Sequence, residues 1–232
     1  MSRGSKLRAA VIGVGYLGNF HAQKYSHLSK DKNFADKVEL VGVCDPKFEQ
    51  AQKVAKELGT RAYASPKELL KEVDLVTIAS TTSTHYEVAK MFLENGVHVN
   101  VEKPMTVSAI EAENLVSIAK DKRLKLAVGH VERFNPAWLL VKPDLSQVTY
   151  AEFTRHATFK SRGADVSVIE DVMIHDLDLV LHLSQNAILS SIKVSGTKYL
   201  TGNWDFVTAD LTFGSNFRAT VSAARVASEM NR

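Results

Sequence analysis

Short apolar runs alternate with amphipathic stretches through the first 130 residues. Leu7 to Ile12, Val38 to Cys44, Leu75 to Ala79, Val97 to Val101 and Leu126 to Val128 are rich in Val, Ile and Leu, and Gly, Pro, Asp or Ser bounds most of them. Runs of this kind predict strands buried on both faces. Between them lie helical patterns at 19–28, at 46–58 with apolar residues at 48, 51, 54, 55 and 58, at 85–95, and at 108–121. Gly59 and Gly96 stop the second and third, and Ser65/Glu68 and Ser108/Glu111 have the spacing of capping boxes. Strands alternating with helices of this length predict a doubly wound parallel sheet that closes near residue 130.

The pattern then changes. Segments at about 147–155, 190–198, 206–213 and 217–224 alternate with period two, and one strong helix lies among them, from Ser167 and Glu170 to about Leu183. This mix predicts an α+β unit at 131–232 with an open, mostly antiparallel sheet, following a Rossmann unit at 1–130.

Chemistry enters at the strand ends. The first strand runs into Gly13-Val-Gly15-Tyr16-Leu17-Gly18 and then a helix, the order in which Gly13 allows a tight turn, Gly15 lets a pyrophosphate approach the backbone and Gly18 lets helix and strand pack closely. Tyr16 and Leu17 lie within the same cofactor loop, and the anion would rest on the helix amino terminus. Asp45 ends the second strand, where an acid receives the ribose hydroxyls and repels a 2′-phosphate, so NAD rather than NADP is expected. Asp45 also precedes Pro46 at what would be a helix start, and a capping role is compatible with a cofactor role. The hydroxyl-rich turn 80–84, with Thr81, Thr82 and then His85, lies at the same edge. So does Glu102-Lys103-Pro104, where proline takes Lys103 out of the helical region at the mouth of the crevice.

On the helix of the second half, Asp171, His175, Asp178 and His182 are spaced by four, three and four, which places them on one α-helical face. Three readings stand: proton transfer, with an aspartate orienting an imidazole base; a metal site, which lacks an evident third ligand; and a solvated polar face. His21, His27, His98, His130 and His156 show no partner in sequence and read as structural.

Composition narrows the class. Hydrophobic content of 45% with 24% charged residues is that of a globular protein, and a net charge of +3 without an arginine-rich run argues against nucleic-acid binding. The single cysteine, Cys44, excludes an intrachain disulfide and fits a reducing cytoplasm. Basic residues at 3, 6 and 8 before an apolar run resemble a secretory signal, but the glycines interrupt it and a strand and turn explain it better. No apolar run is long enough to span a membrane.

Together, the glycine motif, Asp45, Glu102-Lys103-Pro104 and Asp171-x-x-x-His175 resemble the glucose-fructose oxidoreductase, inositol dehydrogenase and MocA family over essentially the whole chain. The resemblance implies NAD held with its nicotinamide between two domains, and a catalytic group of Lys103, Asp171 and His175. The substrate would be a sugar, cyclitol or nucleotide sugar oxidised at a hydroxyl-bearing carbon. Val128 to Pro136 and Glu170 to Asp178 resemble most the branch that dehydrogenates UDP-N-acetylglucosamine at its 3-position, with Arg133 and Asn135 beside Lys103 and His175 as substrate contacts. Arg133 is equally compatible with a surface ion pair. His175 is the expected base, with Lys103 as the alternative if burial lowers its pKa.

Two departures matter. Thr81-Thr82 stands where many members carry a proline, and members are usually longer. The second sheet is therefore expected to expose an edge, in a shortened chain or in a homo-oligomer that covers it. The rival from another class is a catalytically silent NAD-binding sensor. A metal-dependent hydrolase leaves the glycine loop unexplained.

Overall fold

The computed structural model describes residues 6–141, 147–160, 166–214 and 216–230; the basic residue at position 3 and the outermost ends of both expected units fall outside them. The chain forms two compact units, one ending at Gly129 and the other beginning at His130.

In the first unit, strands β1 (Leu7–Ile12), β2 (Val38–Cys44), β3 (Arg61–Tyr63), β4 (Leu75–Ile78), β5 (His98–Val101) and β6 (Leu126–Val128) form a parallel sheet in the order β3-β2-β1-β4-β5-β6. That is the doubly wound order of dinucleotide-binding folds. β1 is central, and Ala9 to Val11 are fully buried, which is why the run needs no polar alternation. Helices α1 (Tyr16–Leu28), α2 (Phe48–Leu58), α3 (Thr82–Glu94) and α4 (Ala109–Asp121) pack on the sheet. One face is filled by residues such as Ile78, Phe92, Leu93 and Leu115, the other by Val11, Val14, Val43 and Val54.

Both capping boxes form: Ser65 and Glu68 open a single 3-10 turn, and Ser108 and Glu111 open α4. α2 ends on Gly59 in the left-handed region (φ 71°), whose N–H bonds Ala55 O. α1 starts at Tyr16, three residues earlier than its periodicity indicates, because the glycine motif continues into the helix and Gly18 is buried inside it. β3 is three residues long, too short for a period-two signal to register.

In the second unit, β7 (Tyr150–His156), β8 (Leu189–Thr197), β9 (Phe206–Phe213) and β10 (Phe217–Ala224) pair in the order β7-β10-β9-β8. Two pairings are antiparallel and β10–β7 is parallel, so the sheet is mixed. A short α5 (Pro136–Val141) precedes the sheet. The long helix of the sequence reading divides into a π-helical turn, Ile169–Met173, and α6 (Ile174–Leu183). Val168, Met173 and Val180 pack on Val207, Leu211, Phe217 and Val221. Every residue of the edge strand β8 is exposed, including Ile192 and Val194 on the side where neighbouring Leu211 and Ala209 are buried.

Candidate functional site

The carboxyl edge of the parallel sheet gathers the groups on which the dinucleotide reading rests. At Gly13 (φ 82°) a Cβ would stand 2.6 Å from Ser80 N, so only glycine lets the first turn touch the turn after β4. A Cβ at Gly18 would come within 1.7 Å of Gly13 O, which shows how closely α1 approaches β1. Gly15 is different: a Cβ there meets nothing within 4 Å. The amino terminus of α1 therefore faces open space, as an anion approaching its free N–H groups requires.

Asp45 is buried after β2, and its oxygens accept the N–H groups of Val14 and Lys47, each at 2.9 Å. One carboxylate thus ties the glycine loop to the segment leading into α2. It does not cap that helix, which begins at Phe48 after Lys47 without a side-chain cap because Pro46 stands two residues ahead of its first turn. A cavity of about 650 Å³ opens here, lined by Gly13, Gly15, Asp45, Gln50, Ser80 and Thr81 among others. Gln50 was not evident as a site residue in sequence; its Nε2 donates to Val14 O at 3.1 Å. Cys44 lies under the cavity floor, and burial, reinforced by the charge of Asp45, pushes its thiol up to about 12. Open space at Gly15, an oriented acid at Asp45 and the cavity between them fit NAD.

The other expected cofactor residues are spread along this edge. Tyr16 and Leu17 are exposed on the first turn of α1, where Tyr16 meets Phe20 edge-on at 5.1 Å. Thr82 begins α3. His85 is only 1% exposed, with Nδ1 2.9 Å from Pro104 O and Nε2 3.1 Å from Ser80 O, so its ring joins two turns. After β5, Glu102 is buried and Lys103 half-buried, and the Lys103-Pro104 peptide is cis. Glu102 Oε1 is 2.6 Å from His21 Nε2. Burial pushes the Glu102 carboxyl up, but the His21 hydrogen bond and charge, with help from Lys103, outweigh it and leave the carboxyl below its ordinary range.

His21 is therefore not a histidine without a partner. Nor is His98, whose Nδ1 accepts the Lys125 N–H at 3.0 Å, nor His156, 2.8 Å from Ser222 Oγ. The signal for His21 was its place three residues after Gly18, one turn along the sheet-facing side of α1.

In the second unit the face expected from α-helical spacing is divided. Asp171 lies in the π turn, a form that recurs at functional sites, and His175 in the first turn of α6. Asp178 is buried and held by Arg133, whose Nε and Nη2 each donate at 2.6 Å; His130 Nε2 lies 3.7 Å away. Asp176, outside the expected set, is buried too and forked by Arg155 at 2.7 to 3.2 Å. His182 meets Trp138 edge-on at 6.2 Å.

Asn135 caps α5 by accepting the Ala137 N–H at 3.0 Å and donates to Glu132 Oε2 at 3.0 Å. Glu132, absent from the sequence reading, feels opposing effects. Burial raises its carboxyl, while Asn135 and the charges of Arg155 and His175 bring it below the ordinary range. Among the described residues, no group of three or more His, Cys, Asp or Glu could hold a metal ion.

A 3-2-1-4-5-6 parallel sheet with a glycine turn, an acid after β2 and a cavity between them defines an NAD-binding Rossmann unit. The model of the oxidoreductase family with an NAD-binding Rossmann fold matches residues 7–130, more than half of the chain. The chain thus belongs to the glucose-fructose oxidoreductase, inositol dehydrogenase and MocA family, and its cofactor is NAD.

The chain is similar to the UDP-N-acetylglucosamine 3-dehydrogenase of Acidithiobacillus ferrooxidans, at 41% identity over 227 residues covering 97% of this chain and 69% of the relative. It is similar also to the scyllo-inositol 2-dehydrogenase (NAD(+)) of Bacillus subtilis, at 32% over 77% of this chain and 54% of the relative. A solved structure of the Acidithiobacillus enzyme superposes with a TM-score of 0.88, covering 98% of this chain and 72% of that one. The chain thus spans between about half and seven tenths of the length of these relatives.

Proposed function

We propose that this protein is an NAD-dependent dehydrogenase acting on the CH–OH group of a sugar, nucleotide sugar or cyclitol, and that UDP-N-acetylglucosamine, oxidised at C3, is the substrate to test first. One observation carries the reading: 41% identity along 97% of the chain to an enzyme of that name, on a fold whose sheet edge assembles the glycine turn, Asp45 and Lys103.

Bound NAD supplies the hydride acceptor. The backbone N–H groups at the start of α1 bind its pyrophosphate, Asp45 receives ribose hydroxyls, and Ser80 and Thr81 border the same cavity. Lys103 donates a hydrogen bond to the reacting oxygen, where positive charge favours the developing alkoxide. His175 takes the hydroxyl proton as the imidazole base, and Asp171 orients it. Arg133 and Asn135 act on substrate through the turn that they and Asp178 fix.

The protein assembles as a homo-oligomer through the second unit's sheet, a reading supported by the exposed β8, and light scattering on the purified chain tests it. It works in the cytoplasm, a reading supported by the lone, buried Cys44 and checked by fractionation.

The decisive experiment follows NADH formation with UDP-N-acetylglucosamine, UDP-glucose, myo-inositol and scyllo-inositol. Turnover of at least one is expected, with Lys103→Ala lowering kcat by about a hundredfold or more while NAD still binds. NAD binding without turnover of any candidate would replace this reading with that of a sensor.

A further inference from the structure

Two histidines bracket Lys103 without entering the proposed reaction. Before the lysine, the Glu102 carboxylate meets His21 Nε2 at 2.6 Å through Oε1 and accepts the Lys103 N–H at 3.3 Å through Oε2. The backbone after β6 packs on the other side: a Cβ on Gly129 would stand 2.8 to 2.9 Å from the carboxyl atoms, so only glycine leaves room for Glu102 there. After the lysine, Pro104 O lies 2.9 Å from His85 Nδ1, and Nε2 of the same ring lies 3.1 Å from Ser80 O. Carbonyl oxygens only accept and a neutral imidazole carries one N–H, so the tautomer present donates to one of the two oxygens while the other nitrogen packs against the second. The His85 ring is 1% exposed, and packing fixes it.

These contacts tie the turn that carries Lys103 to three separate places: α1 just past the glycine motif, the turn after β4 that lines the cofactor cavity, and the end of β6. A lysine stem is long and flexible, so its ammonium is aimed only as well as its backbone is held.

We propose that His21 and His85 are positioning residues for Lys103, holding the backbone on its two sides so that the ammonium is delivered to one place at the sheet edge. The proposal rests on the reading of Lys103 as donor to the reacting oxygen, and it adds that the aim of that donor is set by two side chains that hold its backbone rather than the reacting oxygen.

The test uses the full chain with His21→Ala, His21→Gln and His85→Phe, alone and combined with Lys103→Ala. His21→Ala and His85→Phe are each expected to lower kcat about tenfold to a hundredfold, the cost of misplacing a reacting group by about 1 Å. NAD affinity measured by calorimetry stays unchanged for His21→Ala. His21→Gln keeps a donor for Glu102 and restores most of the activity. In the Lys103→Ala background neither change produces a further loss. Independently of turnover, hydrogen–deuterium exchange over residues 102–106 speeds up in both variants while the central strands keep their protection. Should His85→Phe fail to fold, His85→Gln, which keeps one donor, carries the same measurements.

Losses that persist undiminished in the Lys103→Ala background, or unchanged exchange over 102–106, overturn the proposal. If Lys103→Ala itself leaves kcat intact, the role given to Lys103 fails instead, and the exchange experiment still decides whether the histidines hold the turn.

Discussion

Gly15 and Gly18 belong to one motif, yet alanine at each should fail in a different way. At Gly18 the new methyl would lie 1.7 Å from Gly13 O, a backbone atom of the loop that Gly13 already presses against Ser80. The methyl and that oxygen must separate by more than an ångström, and no flexible side chain can absorb the shift. Overpacking against a core costs about 1–3 kcal/mol, and a backbone neighbour puts this case at the upper end. For a unit of this size that lowers the melting temperature by about 10 °C.

At Gly15 the backbone is extended (φ −67°), a conformation alanine adopts, and its methyl meets nothing within 4 Å. Gly15→Ala should therefore melt at or slightly above the wild-type temperature, since alanine loses less chain entropy on folding, by about 0.5 kcal/mol. The same methyl occupies the space that the pyrophosphate needs, at a similar cost of about 1–3 kcal/mol, or roughly tenfold to a hundredfold in NAD affinity. Thermal melts and calorimetric NAD titrations of both variants provide the comparison. A Gly15→Ala protein that binds NAD as tightly as wild type would refute the placement of the pyrophosphate, and a Gly18→Ala protein of undiminished stability would refute the packing argument.

Three further outcomes follow from the electrostatics. The Asp205 carboxylate is fully buried and accepts the N–H groups of Tyr199, Leu200 and Thr201 at 2.7 to 2.9 Å and the Thr201 hydroxyl at 2.7 Å; burial opposes its charge, but these donors hold it far below the carboxylate range. Asp205→Ala should destabilise the second unit by about 3 kcal/mol or more in a urea titration. Cys44, with its thiol pushed up to about 12 by burial, should resist a disulfide reagent in the native protein and react at once in denaturant. Glu102 titrates below its ordinary range in the folded chain, so its contribution to stability is complete above the unfolded value of about 4.3 and fades as pH falls through the lower folded value. The melting-temperature gap between wild type and Glu102→Gln should accordingly hold steady at neutral pH and narrow in acid; a gap that widens in acid would contradict the His21 pairing.

The parallel sheet was legible because its inner strands are largely buried, so residue type marks them: Ala9 to Ile12 form an unbroken buried apolar run, while β5 alternates buried Val99 and Val101 with half-buried His98 and Asn100. The period-two segments of the second half likewise correspond to β7 to β10, within a few residues at each end. What stayed hidden was set by partners rather than by local pattern. Arg61–Tyr63 is a strand because β2 offers it an edge, and β7 runs parallel to β10 through a connection whose direction no local sequence states. The π turn at Ile169–Met173 interrupts a sequence whose apolar spacing reads as continuous α-helix, and it separates Asp171 from the regular spacing that His175, Asp178 and His182 keep.

The site divides along the same line. Glycines and a strand-end acid announce themselves because backbone geometry demands those residue types in that order, whereas His21 and Glu102 are 81 positions apart and Arg133 and Asp178 are 45. A row of acids on an apolar helix has two physical explanations, chemistry or a buried cation partner, and sequence spacing does not distinguish them. The structure does so for two of the acids: Asp176 and Asp178 are each gripped by a planar guanidinium, Arg155 from β7 and Arg133 from the turn before α5. A fork of that kind fixes both partners. Arg133 thereby sets the turn that carries Glu132 and Asn135, and a lysine in its place would keep the charge but lose the two parallel hydrogen bonds that orient it.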